Sequence, residues 1–216
     1  EETPAIFNSV KCLTQTQPKV LRAALAHPAG EGGELDRNGK PVALQIQAGE
    51  KVYQDFTLEA SDVGGHSSRP NKNNPITRLS AGLAKLGMHN FAIALNQATR
   101  GYFEAESRLE PPEIAADMRA VLKDSRDEAA AERLWAHNPA WNGMLRTTCV
   151  VTEISGGHAP NALPQNVRAN VNCRILPGVP IPEVQAEMIR VLGDAKISVA
   201  PTGDPGFQSP PPPLTE

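Results

Sequence analysis

Two stretches of the chain alternate apolar and polar residues with a period of two. In KVYQDFTLEA, Val52, Phe56, Leu58 and Ala60 share one side and Tyr53, Asp55, Thr57 and Glu59 the other. In NVRANVNCRI, Val167, Ala169, Val171, Cys173 and Ile175 point one way, and Asn166, Arg168, Asn170, Asn172 and Arg174 the other. Such alternation predicts antiparallel strands with one face on a core and one in solvent. The period lengthens to a helical one in NNPITRLSAGLAKLG, where Ile76, Leu79, Leu83 and Leu86 form a stripe, Pro75 suits the first turn and Gly87 the end. IPEVQAEMIRVLGD repeats the helical pattern with Val184, Met188, Val191 and Leu192. RTTCVVTEI and KISVAP read as two further strands.

Between the first helix and the third strand lies a block of different character. FAIALNQATRGYF, PPEIAADMRAVLKD and SRDEAAAERLWAHN all read as helices, the last opened by a capping box of Ser125 and Glu128. Residues 88–143 are therefore expected to be a helical insertion. Without it the order is strand, helix, strand, strand, helix, strand. That order predicts an α+β fold: a ferredoxin-like four-stranded antiparallel sheet with two helices on one face, plus the insertion. Upstream, residues 1–47 read as a helix in SVKCLTQTQPKVLRAAL, a loop in HPAGEGGELDRNGKP with a turn at RNGK, and a strand in VALQIQ. The tail DPGFQSPPPPLTE reads as an extended connector.

Composition narrows the function classes. A net charge of −3 over 216 residues gives no electrostatic footprint for nucleic acid or an anionic membrane. No apolar run is long enough to span a bilayer as a helix. The chain opens on EETPAIFNSV, without an initiator methionine, and is expected to be part of a longer or processed protein. Its three cysteines, Cys12, Cys149 and Cys173, show no metal or redox spacing and are expected to be buried free thiols.

Candidate chemistry gathers at strand ends. His66 sits between a glycine pair and a serine pair in DVGGHSSRP. It reads either as a loop imidazole bonded to those serines or as a proton donor or oxyanion stabiliser for a ligand. GGHAPNALP repeats the theme with His158 and Asn161, whose amide either closes a turn or fixes a planar amide or carboxylate. Arg174 closes the polar face of its strand, where a guanidinium is either solvated or grips a carboxylate bidentately. Glu1 and Glu2 are adjacent carboxylates without a histidine at ligand spacing.

KVYQDFTLEASDVGGHSSRP, followed by a helix and then TEISGGHAPNALPQNVRANVNCRILPG, resembles the lid, or dimerisation, domain of the co-catalytic zinc metallopeptidases. That family includes glutamate carboxypeptidases, aminoacylases, carnosinase-type dipeptidases and succinyl-diaminopimelate desuccinylase. EETPAIFNSVKCL is similar to the Glu-Glu segment of the family's catalytic domain, which implies a general base at Glu1 and a zinc ligand at Glu2. LRAALAHPAGEGGELDRNGKPV resembles the next segment, but Ala29 falls where an acidic ligand is expected, with Glu31 two places on. The family's first His, bridging Asp and last His have no counterpart in these residues. The resemblance implies three parts: residues 1–47 as a catalytic-domain remnant, 48–204 as the lid domain, and 205–216 as a connector back to the catalytic domain.

For mechanism, the resemblance implies a parent enzyme with two zinc ions that hydrolyses an amide beside a free carboxylate, in a peptide or N-acyl amino acid. His66 would stabilise the oxyanion, Asn161 and Arg174 would hold the substrate carboxylate, and the lid would pair as a homodimer. The chain alone is expected to bind no stoichiometric zinc and to hydrolyse nothing. The alternative reading is a stand-alone ferredoxin-like dimerisation or small-ligand-binding module without catalysis.

Overall fold

The computed structural model describes residues 32–35, 38–45 and 49–203. The chain divides into two units, Glu1–Gln47 and Ala48–Glu216. The helix expected near residues 9–25, the acidic residues Glu1, Glu2 and Glu31, and the proline-rich tail lie outside the described residues. In the first unit β1 (Gly32–Leu35) pairs antiparallel with β2 (Pro41–Gln45) around the turn at Asn38 and Gly39. The expected strand in VALQIQ is therefore present. Its partner β1 falls in what the glycine and charge content marked as loop, because backbone pairing rather than side-chain alternation makes it a strand.

The second unit is built on β3 (Val52–Ser61), β5 (Thr148–Gly156), β7 (Asn166–Ile175) and β8 (Ile197–Thr202), in the spatial order β5-β7-β3-β8. All three pairings are antiparallel. The two long strands are central and match residue for residue from Val52↔Ile175 to Ser61↔Asn166. Two helices, α1 (Pro75–Gly87) and α6 (Ile181–Leu192), cover one face. Phe56, Leu58, Ala60, Val171, Cys173 and Ile175 meet Leu79 and Leu86 of α1 and Val184, Met188 and Leu192 of α6 in one buried cluster. This is the ferredoxin-like arrangement that the alternation predicts. Ile76 departs from the predicted stripe and lies exposed, while Pro75 and Gly82 take buried places. Asn74 caps α1 through its side chain, and Arg78 reaches Asp194 just past α6 with two hydrogen bonds of 2.9 and 2.5 Å.

Four helices fill the insertion: α2 (Gln97–Glu106), α3 (Pro112–Lys123), α4 (Glu128–His137) and α5 (Pro139–Leu145). They close a core of their own around Phe103, Met118, Val121, Leu134, Trp141 and Leu145. Residues 91–96, expected as helix, are not helical: Asn96 and Thr99 form a reciprocal cap that starts α2 at Gln97. The cap of α4 is Asp127, whose carboxylate accepts from the Ala130 amide, rather than Ser125. Where the insertion meets the sheet, the buried Arg146 donates to the Phe91 carbonyl at 3.0 Å and pairs with Glu128 at 2.9 Å. Lys51 Nζ donates to the carbonyls of Gly143 and Arg146 at 2.9 and 2.8 Å and to Thr148 Oγ1 at 3.1 Å. Burial, aided by the nearby Arg174 charge, pushes the Lys51 pKa down from 10.5 to about 8.

Cys149 and Cys173 are not free thiols; they form a disulfide across the β5/β7 pair. They stand directly opposite each other with Cα atoms 4.1 Å apart, the closeness of a non-hydrogen-bonded antiparallel pair.

Candidate functional site

The residues singled out in the sequence gather at the two ends of the long strands. At one end β3 runs into the loop of residues 62–64, and β4 (Gly65–His66) pairs with β6 (Ala162–Leu163), which precedes β7. His66 stands opposite Ala162, and the Ser67 amide donates to the Asn161 carbonyl at 2.9 Å. His66 and Asn161, 95 positions apart in sequence, are thus brought side by side, both exposed. Two glycines permit close backbone approaches at this end of the sheet. Gly64 has a φ of +77°, and a Cβ there would come within 2.7 Å of Gln165 Cγ. A Cβ on Gly156 would come within 3.0 Å of the Val167 Cα. The Asp62 amide donates to the Gln165 carbonyl at 2.9 Å, closing the base of the corner.

The His66 ring is oriented from within its own loop. Nδ1 accepts from the Ser68 amide at 3.2 Å and lies 2.8 Å from Ser68 Oγ. An Nδ1 that accepts carries no proton, so the neutral ring bears its hydrogen on Nε2. A donor presented on an exposed loop suits an oxyanion or a carbonyl oxygen. The Asn161 carbonyl anchors the ribbon to the His66 loop, and Asn161 is itself exposed. His158 is exposed in the same loop.

Arg174 lies at the other end of β7, opposite Tyr53 of β3 and Thr148 of β5. Its guanidinium carbon stands 4.8 Å from the centre of the Tyr53 ring. A polar network that the sequence reading passed over surrounds it. The Tyr53 hydroxyl donates to Asp55 at 2.8 Å, and Asp55 accepts from Asn172 at 2.8 Å and Asn170 at 3.2 Å. Burial raises the Asp55 pKa, but these bonds and the Arg174 charge outweigh it and hold the carboxyl below its ordinary value. The polar alternation had placed these residues on one face; the strand register that makes them partners was the missing signal. Toward the His66 end, Arg168 and Asn166 both bond Glu59. The structure therefore joins His66 to Asn161 and sets Arg174 apart from both.

No group of three His, Cys, Asp or Glu side chains among the described residues could hold a metal ion. Glu1, Glu2 and Glu31, the acidic residues proposed from sequence, are outside that set.

With the corner and the polar face in view, comparison with known proteins gives the class. The family model of the M20 peptidase dimerisation domain matches residues 48–199, and the chain belongs to that family. Among curated proteins, it is similar to the mouse N-fatty-acyl-amino acid synthase/hydrolase PM20D1, 29% identical over 161 residues, covering 74% of this chain and 31% of the relative. It is also similar to probable carboxypeptidase S-like 2 of Dictyostelium discoideum, 26% identical over 162 residues, covering 74% of this chain and 30% of the relative. The chain thus spans less than a third of the length of these relatives. Among solved structures it resembles the M20 family metallo-carboxypeptidase Sso-CP2 of Sulfolobus solfataricus, with a TM-score of 0.43, 18% identity, and coverage of 79% of this chain and 48% of that one. Human carnosine dipeptidase 1 gives a TM-score of 0.41 at 16% identity, covering 76% of this chain and 41% of that one.

Proposed function

We propose that this chain is the lid and dimerisation part of a zinc-dependent, carboxypeptidase-like amidohydrolase, which cleaves an amide beside the free carboxylate of a peptide or N-acyl amino acid. In this reading His66 donates from Nε2 to the oxyanion, and Asn161 and Arg174 hold the carboxylate. Glu1 would act as general base and Glu2 as a metal ligand. The described residues do not make a metal site by themselves, so the two zinc ions would be held by other residues.

The carrying observation is the separation of the two ends. From Asn166, beside the His66 corner, to Arg174 the strand rises about 26 Å at roughly 3.3 Å per residue. One amino-acid-sized substrate does not span that distance. His66 and Arg174 of one copy would therefore serve different sites, each completed by a second copy. Edge strand β5 offers the surface for such pairing: it borders the sheet, and its Val150 and Ile154 are 61% and 58% exposed. The opposite edge, β8, carries Pro201, which blunts pairing there.

Subunit complementation tests this reading. In the full-length protein, His66→Ala and Arg174→Ala should each abolish most hydrolysis of an N-acyl amino acid. Co-expressed, they should recover up to about a quarter of wild-type activity, because half the dimers are mixed and each mixed dimer rebuilds one of two sites. A mixture no more active than its components would refute the shared site.

A further inference from the structure

We infer that Tyr53 is a positioning residue for Arg174, fixing the plane in which its guanidinium meets a substrate carboxylate. The inference rests on the reading of Arg174 as the carboxylate-binding group. Tyr53 and Arg174 face each other across β3 and β7, with the guanidinium carbon 4.8 Å from the ring centre. An arginine on a sheet face otherwise loses considerable rotamer freedom when it binds a ligand. Contact with the aromatic ring restricts that freedom before binding, so that the guanidinium meets a carboxylate in a set orientation.

The ring itself is held. Its hydroxyl donates to Asp55 Oδ2 at 2.8 Å, and Asp55 Oδ1 accepts from Asn172 and Asn170. Asn170 also donates to Thr152 Oγ1 at 2.8 Å, so the network runs across three strands to the sheet edge. A tyrosine needed only to cover core would be buried, yet Tyr53 is 44% exposed on the face away from the helices. Its position is explained by what it supports rather than by what it covers.

The test uses the full-length protein with N-octanoyl-phenylalanine and the matching C-terminal carboxamide as probes. Tyr53→Leu removes the ring face, Tyr53→Phe keeps the ring and loses the Asp55 bond, and Arg174→Ala removes the cation. A ring contact of this exposure corresponds to roughly a two- to five-fold effect. Tyr53→Leu should therefore raise KM for the carboxylate probe two- to five-fold, with the change in KM rather than kcat. The carboxamide KM should move much less, and Tyr53→Phe should restore most of the loss. Equal effects of Tyr53→Leu on both probes, or none on either, would overturn the positioning role. If Arg174→Ala leaves the ratio between the probes unchanged, the carboxylate-binding reading falls, and the positioning role falls with it. A changed ratio in Arg174→Ala with an unchanged one in Tyr53→Leu overturns the positioning role alone.

Discussion

Breaking the bond between Cys149 and Cys173 should cost the second unit much of its stability. The bond closes a sequence separation of 24 residues, which spans the corner loop and β6. In the chain-entropy account, a closed loop of that length removes about 12 cal/mol/K from the unfolded ensemble, or about 3.4 kcal/mol at 25 °C. Domain stabilities of about 5–15 kcal/mol make this a large fraction. Urea unfolding followed by far-UV circular dichroism, with and without dithiothreitol, reads the effect. With a urea dependence of about 1–3 kcal/mol per molar, reduction should lower the midpoint by roughly 1–3 M. A Cys149→Ala/Cys173→Ala double variant should unfold early and ignore the reductant. Thiol titration in denaturant gives an independent reading: the chain has three cysteines, so one titratable thiol is expected and three would contradict the bond. Coincident midpoints with and without reductant would refute the reasoning.

Two further outcomes follow from the junction and the corner. Lys51 titrates near 8 when folded, against 10.5 ordinarily, so the folded protein binds fewer protons across that window. Its contribution is therefore fully present above pH 10.5 and lost as pH falls through 8; allowing for screening, the gain is roughly 1–3 kcal/mol. Urea midpoints of wild type and Lys51→Met at pH 7 and pH 10 should show the wild type gaining on the variant as pH rises, and a constant difference would contradict the shift. Gly64→Ala forces a side chain into a left-handed backbone and against Gln165, at a cost of about 1–2 kcal/mol. The urea midpoint should fall accordingly, and an unchanged midpoint would show that the corner relaxes at no cost.

The central strands were legible because each has one face on the core, so their alternation records burial directly. The edge strand was less so. The inward direction of Cys173 could be read from its neighbours, but its partner depends on the β5/β7 register, and β5 shifts that register between Val151 and Glu153. Alternation along one strand says nothing about such a shift. Likewise FAIALNQATRGYF carries apolar residues at spacings that suit a helix, yet Phe91 joins the sheet core and Ile93 the insertion core. One segment serves two cores, a demand invisible to periodicity. Two glycine-flanked loops and a polar strand face marked His66, Asn161 and Arg174 as one set at strand ends, whereas the nearness of His66 to Asn161 follows from the β4/β6 pairing and the remoteness of Arg174 from the length of β7. The stacking of Tyr53 on Arg174 required knowing which residues face each other.

The two separate apolar clusters of the second unit also make it modular. Each cluster closes on its own side chains, so a packing fault in one is felt first among its own members. The chain crosses between them at the two segments joined by the Arg146–Phe91 and Ala94–Leu145 hydrogen bonds. Those bonds bring the way in and the way out of the insertion together, much as the ends of a surface loop meet. The helical block can thus lengthen, shorten or change its surface while the sheet keeps its register.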